Sequence, residues 1–436
     1  MKVLKIVCSA IVAIAVGFGC WWGIDYFGTK SNEVPVLNPE TLTDVATIPE
    51  TQTTIHESPT NVESSVVSSA VSKVSSIVTK KPTSSKPVAS KVTSSSAPTK
   101  KPSSTVSSAV SSTVKKPVVT LKKDKNLTDI VTYIKRPTYA SVQKEIKALA
   151  KEYPELVSYT SAGKSVQGRN LTVMKVGKGK TKALIIAGIH ARESITVSYT
   201  MRCVEEFCAA YETKSGKYSK IFDMQNLLDN YTLYIMPLAN PDGLEIISGR
   251  DKPEVTVTYR GDMDISDYKG NANGVNLNKN FPLLWNKINN KVTGPDAEGY
   301  KGPSAGSEPE TKALMKLCNS NNFAWMTSIH VRGDCVYWSD SVNPSVGASE
   351  KIVDVLKDKC DFYKCDTSTD INGFGGGFEN WFRNKFQKPG LCLELMPLDE
   401  KVTPLSNANN TYFSKTVRWD VTKKVLPYIM VYGFPS

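Results

Sequence analysis

Apolar runs and stretches of helical period alternate along the chain from about residue 127 onward. "TYASVQKEIKALAKEYPEL" has the spacing of an amphipathic helix, whereas "ALIIAGI" is a short continuous apolar run typical of a buried strand. The same criteria predict further helices over 194–211, 309–319, 348–360 and 414–428. They predict further strands in "LTVMKV", "YTLYIMPL", "FAWMTSI" and "LCLEL".

Strands that are apolar on both faces and separated by helices predict an α/β fold. We expect residues 127–436 to form a single domain with a twisted, mixed and mostly parallel sheet that is flanked by helices. Ligands of such sheets bind beyond the carboxyl ends of the strands. Polar residues that directly follow an apolar run are therefore candidate site residues.

Two of the three histidines come at the end of apolar runs, His190 after "ALIIAGI" and His330 after "FAWMTSI". A lone His-x-x-Glu is most often a polar turn behind a core strand. Here His190 and Glu193 on a tight turn, with His330 from a neighbouring strand, match a His₂Glu zinc site with one position open for water, which is a catalytic arrangement. His56 lies in a low-complexity stretch and is interpreted as incidental.

The chain before residue 127 has a different composition. Residues 6–24 carry no charge and follow two lysines, so residues 1–28 predict a signal peptide or an uncleaved single-pass membrane anchor. A tryptophan pair at the end of the run favours the anchor, with the catalytic domain outside the cytoplasm; a cleaved signal predicts a secreted protein. Residues 29–126 are dominated by Ser, Thr, Val, Pro and Lys and predict a disordered stalk.

The positive charge of the stalk is concentrated in residues 61–125. Residues 61–125 contain 12 Lys against one Glu and one Asp, a net of +10 within a chain total of +12. Two interpretations of this charge stay open. The lysines keep a spacer solvated, or they attract the stalk to anionic polymers of a cell wall or membrane surface. No aromatic residues are interleaved with the lysines, so nucleic-acid binding is not indicated.

Seven of the nine cysteines lie beyond the apolar N-terminal run, without a four-cysteine metal spacing. A domain of this size does not need disulfides to fold, so we expect mostly buried thiols. Cys360 and Cys365 are the candidates for a disulfide pair.

Motifs in a fixed order resemble the zinc carboxypeptidase family over nearly all of residues 127–436. His190 with Glu193, and the distant His330, match the family's metal motifs, and Glu394, thirteen residues after Trp381, matches its catalytic glutamate. Between them, "NPDG", "GVNLNKNFP" and "GPSAGSEPET" are similar to further family landmarks. The resemblance implies the fold of that family, one zinc ion and a peptidase activity.

The resemblance also implies roles for individual residues. His190, Glu193 and His330 correspond to the zinc ligands, and Glu394 to the general base. A cation that stabilises the carbonyl oxygen is implied as well; Lys269 in "DYKGNANG" is the nearest match, with Arg260 as its competitor. A family arginine that contacts the substrate corresponds to Arg192.

Several positions depart from the family pattern. Asn278 and Lys279 stand where relatives usually have Asn-Arg to bind a terminal carboxylate, and lysine lacks the planar two-donor fork of arginine. Asn276 replaces a common aspartate that supports a zinc-bound histidine; an amide accepts the imidazole N–H but supports it less as a charge. Asn372 stands where digestive members carry a mobile tyrosine.

Glu379 stands at a place that sets the side-chain preference of digestive relatives. An acid there is expected to bind a basic group of the substrate, such as the side-chain amine of a diamino acid.

"HVRGDCVYW" and "GGGFENWFRNKFQKPG" resemble bacterial members that act on peptidoglycan stems, the γ-D-glutamyl-L-diamino-acid peptidases. We therefore expect a monomeric zinc peptidase that cleaves stem peptides at the γ-D-glutamyl–diamino-acid bond. Two alternatives stay open: a carboxypeptidase that removes C-terminal residues from proteins or peptides, and an inactive wall-binding module.

Overall fold

A computed structural model describes residues 130–397, except 134 and 214, and residues 410–434. The predicted N-terminal anchor and the predicted stalk lie outside these ranges. Within them, every helix is too short or too polar to cross a bilayer.

The strands are bounded as follows: β1 (Val157–Lys164), β2 (Asn170–Val176), β3 (Thr181–Ala187), β4 (Lys217–Tyr218), β5 (Phe222–Asp223), β6 (Tyr231–Met236), β7 (Phe323–His330), β8 (Cys335–Tyr337), β9 (Tyr363–Lys364) and β10 (Gly390–Glu394). Among the described residues, eight of them form one sheet in the order β1-β2-β6-β3-β7-β10-β8-β9. The central strands β6, β3, β7 and β10 are parallel, while β2 and β8 join them antiparallel. The predicted mixed, mostly parallel sheet is confirmed.

Strand β3 illustrates why its sequence is a continuous apolar run. Ala183, Ile185 and Ala187 pack into the larger hydrophobic cluster, whereas Leu184 and Ile186 pack into a second cluster. Successive side chains of a strand point to opposite faces, so both faces of β3 are buried from Ala183 onward and these positions are all apolar.

The helices are bounded as follows: α1 (Tyr139–Glu152), α2 (Ser194–Glu212), α3 (Met224–Asn230), α4 (Pro241–Ile247), α5 (Pro309–Asn319), α6 (Ser349–Cys360), α7 (Ile371–Phe374), α8 (Phe378–Phe386), α9 (Asn410–Thr416), α10 (Trp419–Thr422) and α11 (Val425–Tyr432). Local sequence features determine where several of these helices begin. Thr138 and Ser141 form a reciprocal capping box at α1, and Pro309 occupies the first turn of α5, where its missing N–H costs nothing.

The prediction of one closing helix over 414–428 is wrong, because the segment forms three short helices, α9 to α11. Arg418 adopts a left-handed conformation (φ 50°) between α9 and α10, and its guanidinium pairs with Asp334 at 2.8 Å. Pro427 lies in the first turn of α11. A proline is tolerated in the first turn of a helix, but inside one continuous helix it would interrupt the backbone hydrogen bonds.

The suggested pairing of Cys360 with Cys365 is also wrong. Among the described residues, none of the seven cysteines forms a disulfide, and six of them are buried, as expected. Cys360 packs into the larger hydrophobic cluster, whereas Cys365 packs against Cys335 in a separate small one. The two side chains therefore point into different parts of the interior.

Candidate functional site

The turn that follows β3 positions His190 and Glu193. Gly188 has φ +60°, and a Cβ on it would lie 2.8 Å from Val197 Cγ2, so the turn requires glycine. Glu193 is the N-cap residue of α2, but its side chain makes no capping hydrogen bond. Its carboxylate is therefore available to the imidazoles beside it.

His330 and Glu394 lie side by side at the ends of two parallel strands. His330 is the last residue of β7, Glu394 is the last residue of β10, and the two are register partners. Since β3 neighbours β7 in the sheet, the carboxyl ends of three adjacent strands bring His190, His330 and Glu394 to one edge.

The Glu193 carboxylate bridges the two imidazoles. Its Oε1 lies 2.8 Å from Nδ1 of His190, and its Oε2 lies 3.0 Å from Nδ1 of His330. One ligand atom from each of the three residues falls within 4.8 Å of the others. Two imidazole nitrogens and a carboxylate oxygen form the donor set of catalytic zinc sites, so these residues fit the ion that the sequence predicts.

The charges of this group are strongly coupled. Burial lowers the pKa of His190 to about 4, so its ring is neutral at pH 7. Burial opposes ionisation of Glu193, but its electrostatic and hydrogen-bond interactions with His190 and His330 outweigh this effect and hold the pKa of Glu193 well below its usual value. His330 shows the converse: burial disfavours its charge, yet Glu193 and Glu379 raise its pKa.

Glu394 is a buried carboxyl with one unsatisfied oxygen. The residue is 7% exposed, and its Oε2 has no hydrogen-bond partner among the described residues. Burial raises its pKa to about 8, while the charges of His330 and Lys269 oppose the rise. A proton-holding carboxyl with one unsatisfied oxygen beside a candidate metal site has the character of a general acid–base group.

Asn276 contacts the far side of the His190 ring. Its Oδ1 lies 3.2 Å from Nε2 of His190, and its Nδ2 donates to the backbone carbonyl of Glu298 at 2.7 Å. The second bond fixes the amide so that its oxygen faces the imidazole. The hydrogen-bond partner of the His190 ring on this side is therefore an amide.

Of the two candidate cations, Lys269 and Arg260, Lys269 is the one whose charge acts on His190 and Glu394. Its Nζ lies 2.9 Å from Glu298 Oε1, and its side chain is 8% exposed. Arg260 is 54% exposed and pairs with Asp296 at 2.9 Å.

Arg192 shares Glu298 with Lys269, at a distance of 3.6 Å. Glu298 is a residue that sequence reasoning missed, because an acid in the irregular stretch "GPDAEGY" gives no periodic or motif signal. The structure shows that this one carboxylate holds both cations beside the centre.

Asn278 and Lys279 contact neighbouring segments of the chain. Asn278 Oδ1 accepts the backbone N–H of Phe378 at 2.7 Å. The Nζ of Lys279 donates to the backbone carbonyls of Asn372, at 2.8 Å, and Gly373. Their expected roles in substrate binding, like that of Arg192, stay predictions.

Glu379 lies beneath His330 rather than at the surface. Its carboxylate is 3% exposed, and its Oε1 is 3.4 Å from Nε2 of His330 and accepts a hydrogen bond from Ser328. Burial works against its ionisation, but the contact with His330 lowers the pKa of Glu379 to about 2. His330, Glu379 and Cys392 form a second group with ligand atoms within 4.8 Å.

Comparisons with known proteins identify a family and individual relatives. The family model described as zinc carboxypeptidase matches residues 142–368. The Bacillus subtilis protein YqgT is 30% identical over 272 residues, which are 59% of this chain and 69% of that protein. Gamma-D-glutamyl-L-diamino acid endopeptidase 1 of Lysinibacillus sphaericus is 27% identical over 267 residues, 59% of this chain and 65% of that protein. The chain thus spans about two thirds of each relative.

The fold has a counterpart among solved structures. Bovine thrombin-activatable fibrinolysis inhibitor, in complex with tick carboxypeptidase inhibitor, superposes with a TM-score of 0.52 at 21% identity. The match covers 69% of this chain and 98% of that one. At this identity the likeness establishes the fold alone.

Proposed function

The chain belongs to the zinc carboxypeptidase family and is a zinc metallopeptidase, and we propose that it cleaves peptidoglycan stem peptides at the γ-D-glutamyl–diamino-acid bond. Similarity to a bacterial relative named for that activity supports the substrate class. The structural observation that carries the proposal is the engagement of Lys279 by the carbonyls of Asn372 and Gly373. A lysine bound in this way is poorly placed to bind a free terminal carboxylate. This disfavours the alternative of a carboxypeptidase that removes C-terminal residues from ordinary peptides.

We assign one zinc ion to His190, Glu193 and His330. A bound zinc ion supplies Lewis acidity and lowers the pKa of a water molecule. His190 is neutral at pH 7 because burial holds its pKa near 4, so its Nδ1 offers a lone pair to a metal. Glu193 presents one carboxylate oxygen to each imidazole and needs little rearrangement to join them as a ligand.

Glu394 is the group that moves the proton. Its carboxylate accepts a proton from the attacking water and passes it to the leaving amine. Burial raises its pKa to about 8 in the chain alone, and a divalent cation nearby favours the ionised form that a base requires. Intact metal-binding residues together with this carboxylate disfavour the alternative of an inactive wall-binding module.

Lys269 is the proposed stabiliser of the negative charge on the carbonyl oxygen. Lys269→Met is expected to lower kcat by about 10²–10³-fold with a small change in KM, because such a contact forms mainly in the transition state. Arg260→Met, which removes the more exposed competitor, should change kcat less than about threefold. Steady-state kinetics on both variants measure this. A larger loss for Arg260→Met than for Lys269→Met assigns the role to the arginine instead.

The substrate is tested with a matched pair of peptides. The zinc-loaded full chain is incubated with a stem peptide that contains a γ-D-glutamyl–diamino-acid bond and with its isomer joined through the α-carboxyl. Ordinary L-peptides with free C-termini form a third arm, and mass spectrometry identifies the products. We expect chelator-sensitive cleavage of the γ-linked peptide and little of its isomer.

The other outcomes decide between the alternatives. Release of C-terminal residues from ordinary peptides alone indicates a carboxypeptidase. Binding of stem peptides without cleavage, at full zinc occupancy, indicates a wall-binding module.

The N-terminal segments support a location for this activity. We propose that residues 1–28 anchor the chain in the cell membrane and that the basic stalk over 29–126 carries the catalytic domain into the wall. N-terminal sequencing of the membrane-bound and secreted fractions tests the anchor. A mature protein that begins beyond residue 28 and is found only in the medium contradicts it and indicates a secreted enzyme.

A further inference from the structure

The two imidazoles of the metal centre have different partners on the nitrogens that face away from Glu193. Nε2 of His190 lies 3.2 Å from the amide oxygen of Asn276, whereas Nε2 of His330 lies 3.4 Å from a carboxylate oxygen of Glu379. The Nε2 atom of His330 is buried and makes no hydrogen bond to another group of the described residues. The Glu379 carboxylate is therefore the acceptor that this nitrogen faces.

A metal on Nδ1 of His330 makes that contact obligatory. A neutral imidazole carries one proton, and when Nδ1 is a ligand the proton is on Nε2, which must then donate a hydrogen bond. A buried N–H without an acceptor costs about 1–3 kcal/mol. Binding of the metal should thus draw the ring and the carboxylate of Glu379 together.

The surroundings of Glu379 hold its carboxylate in this position. Ser328 donates to Oε1, and Asn278 Nδ2 lies 3.4 Å from Oε2. The residue is in the first turn of α8, where the helix dipole favours a negative charge. With its side chain 3% exposed and both oxygens engaged, the carboxylate faces His330 rather than open solvent.

At position 276 the surrounding backbone requires a side chain that donates a hydrogen bond, which a carboxylate cannot do. Nδ2 of Asn276 must donate to the Glu298 carbonyl, and an aspartate at this position would place a second oxygen against that carbonyl. An amide is therefore the group that fits beside His190, and it brings no charge to the metal centre.

We propose that Glu379 is a positioning residue of the zinc centre and that it holds His330 through Nε2. It also places a negative charge behind His330, whereas the amide of Asn276 places none behind His190. This inference rests on the proposed zinc site, and it replaces substrate binding as the role of Glu379. With Glu193 as ligand and Glu379 behind His330, two carboxylates formally balance the double charge of a zinc ion. Partners of this kind orient ligating imidazoles and raise their basicity.

The test measures zinc affinity by competition with a chromogenic chelator, using the full chain in mild detergent. Glu379→Ala should weaken zinc binding by about 10–100-fold, and Glu379→Gln, which keeps an acceptor without the charge, should recover part of that loss. Glu205→Gln is the matched control. Glu205 is a buried carboxyl that accepts from the backbone N–H groups of Ile130 and Val131, and its replacement should leave zinc affinity unchanged.

Thermal unfolding of the metal-free proteins shows whether each variant folds. If Glu379→Ala does not fold, the zinc affinity of Glu379→Gln alone is compared with that of the wild type. Unchanged zinc affinity in Glu379→Gln and Glu379→Ala overturns the proposal. It is also overturned if the wild type binds two zinc ions and the second is lost in Glu379→Ala, because Nε2 of His330 is then itself a ligand in the group with Cys392.

A substrate comparison separates this inference from the proposed function. If Glu379 instead recognises an amine of the substrate, Glu379→Gln keeps its zinc affinity and loses selectivity for a diamino acid over a residue without the side-chain amine. Zinc affinity does not depend on which peptide is cleaved. A wrong substrate therefore leaves the affinity result intact, and a failed affinity result leaves the substrate result intact.

Discussion

Glu394→Gln is expected to lower kcat by about 10²–10⁴-fold, the usual contribution of a general acid–base group, while the zinc content of the protein stays at the wild-type level. Glutamine has nearly the shape of the glutamate but cannot take the proton of the attacking water. The ligand residues His190, Glu193 and His330 keep their mutual contacts, because none of them uses Glu394 as a hydrogen-bond partner. Steady-state kinetics and metal analysis of the purified variant measure the two quantities.

The pH profile gives this variant a second readout. A base must be ionised, so wild-type kcat/KM should fall as the pH drops through the pKa of Glu394. That pKa is about 8 in the chain alone and lower beside a cation, so the acid limb should lie below pH 8 and be absent from the residual activity of Glu394→Gln.

Glu310→Gln serves as the matched control for Glu394→Gln. Burial raises the pKa of Glu310 to about 7, but this carboxyl accepts from Asn271 and from the backbone of Val166, away from the imidazoles. Its replacement should leave kcat within about twofold of wild type. An equal loss in both variants, or wild-type activity in Glu394→Gln, contradicts the assignment of the base.

Loss of the metal is expected to have the other large effect. Chelation should abolish activity reversibly, and His330→Ala should lower kcat/KM by at least about 10³-fold, because Lewis-acid stabilisation is worth several kcal/mol. His330 is both a proposed ligand and a partner of the Glu193 carboxylate at 3.0 Å, so its removal also frees Glu193 from one of its two imidazoles. Zinc affinity and kinetics are measured on the same preparation.

His56→Ala is the control for that substitution, since the chain has three histidines and His56 lies in the low-complexity stretch. It should bind zinc and cleave substrate like the wild type. Full activity of the chelated protein, or of His330→Ala, contradicts a metal-dependent reaction at this centre.

The parts of the fold that were predictable from sequence are those with two buried faces or a clear helical period. The run "ALIIAGI" could be recognised as a strand because Leu184 and Ile185 are buried on opposite faces of the sheet. Strand β1 escaped prediction because most of its side chains are exposed or half-buried, so no alternation of apolar residues marks it.

The candidate site was predictable where a residue carries both a motif and a position at a strand end. His330 ends an apolar run and Glu394 lies within the predicted strand "LCLEL", and the structure pairs the two in register at the ends of β7 and β10. Glu298 lacks both signals, since it lies in an irregular loop and reaches the site only through Lys269 and Arg192.

The location of Glu379 depended on tertiary packing in the same way. Its place near the substrate region of relatives predicted contact with a basic group of the substrate, whereas the structure places its buried carboxylate 3.4 Å from Nε2 of His330. Local sequence does not encode the direction from which one element approaches another, and contacts of this kind cannot be derived from spacing.

Anomalous diffraction at the zinc edge, from crystals of the zinc-loaded protein, locates the proposed metal ion directly. We predict one zinc peak enclosed by Nδ1 of His190, Nδ1 of His330 and the carboxylate of Glu193, at about 2.0–2.2 Å from each ligand atom, with Glu394 beside it and not ligated. A zinc peak elsewhere, or no peak at this position in active crystals, rules out these three residues as the catalytic zinc site.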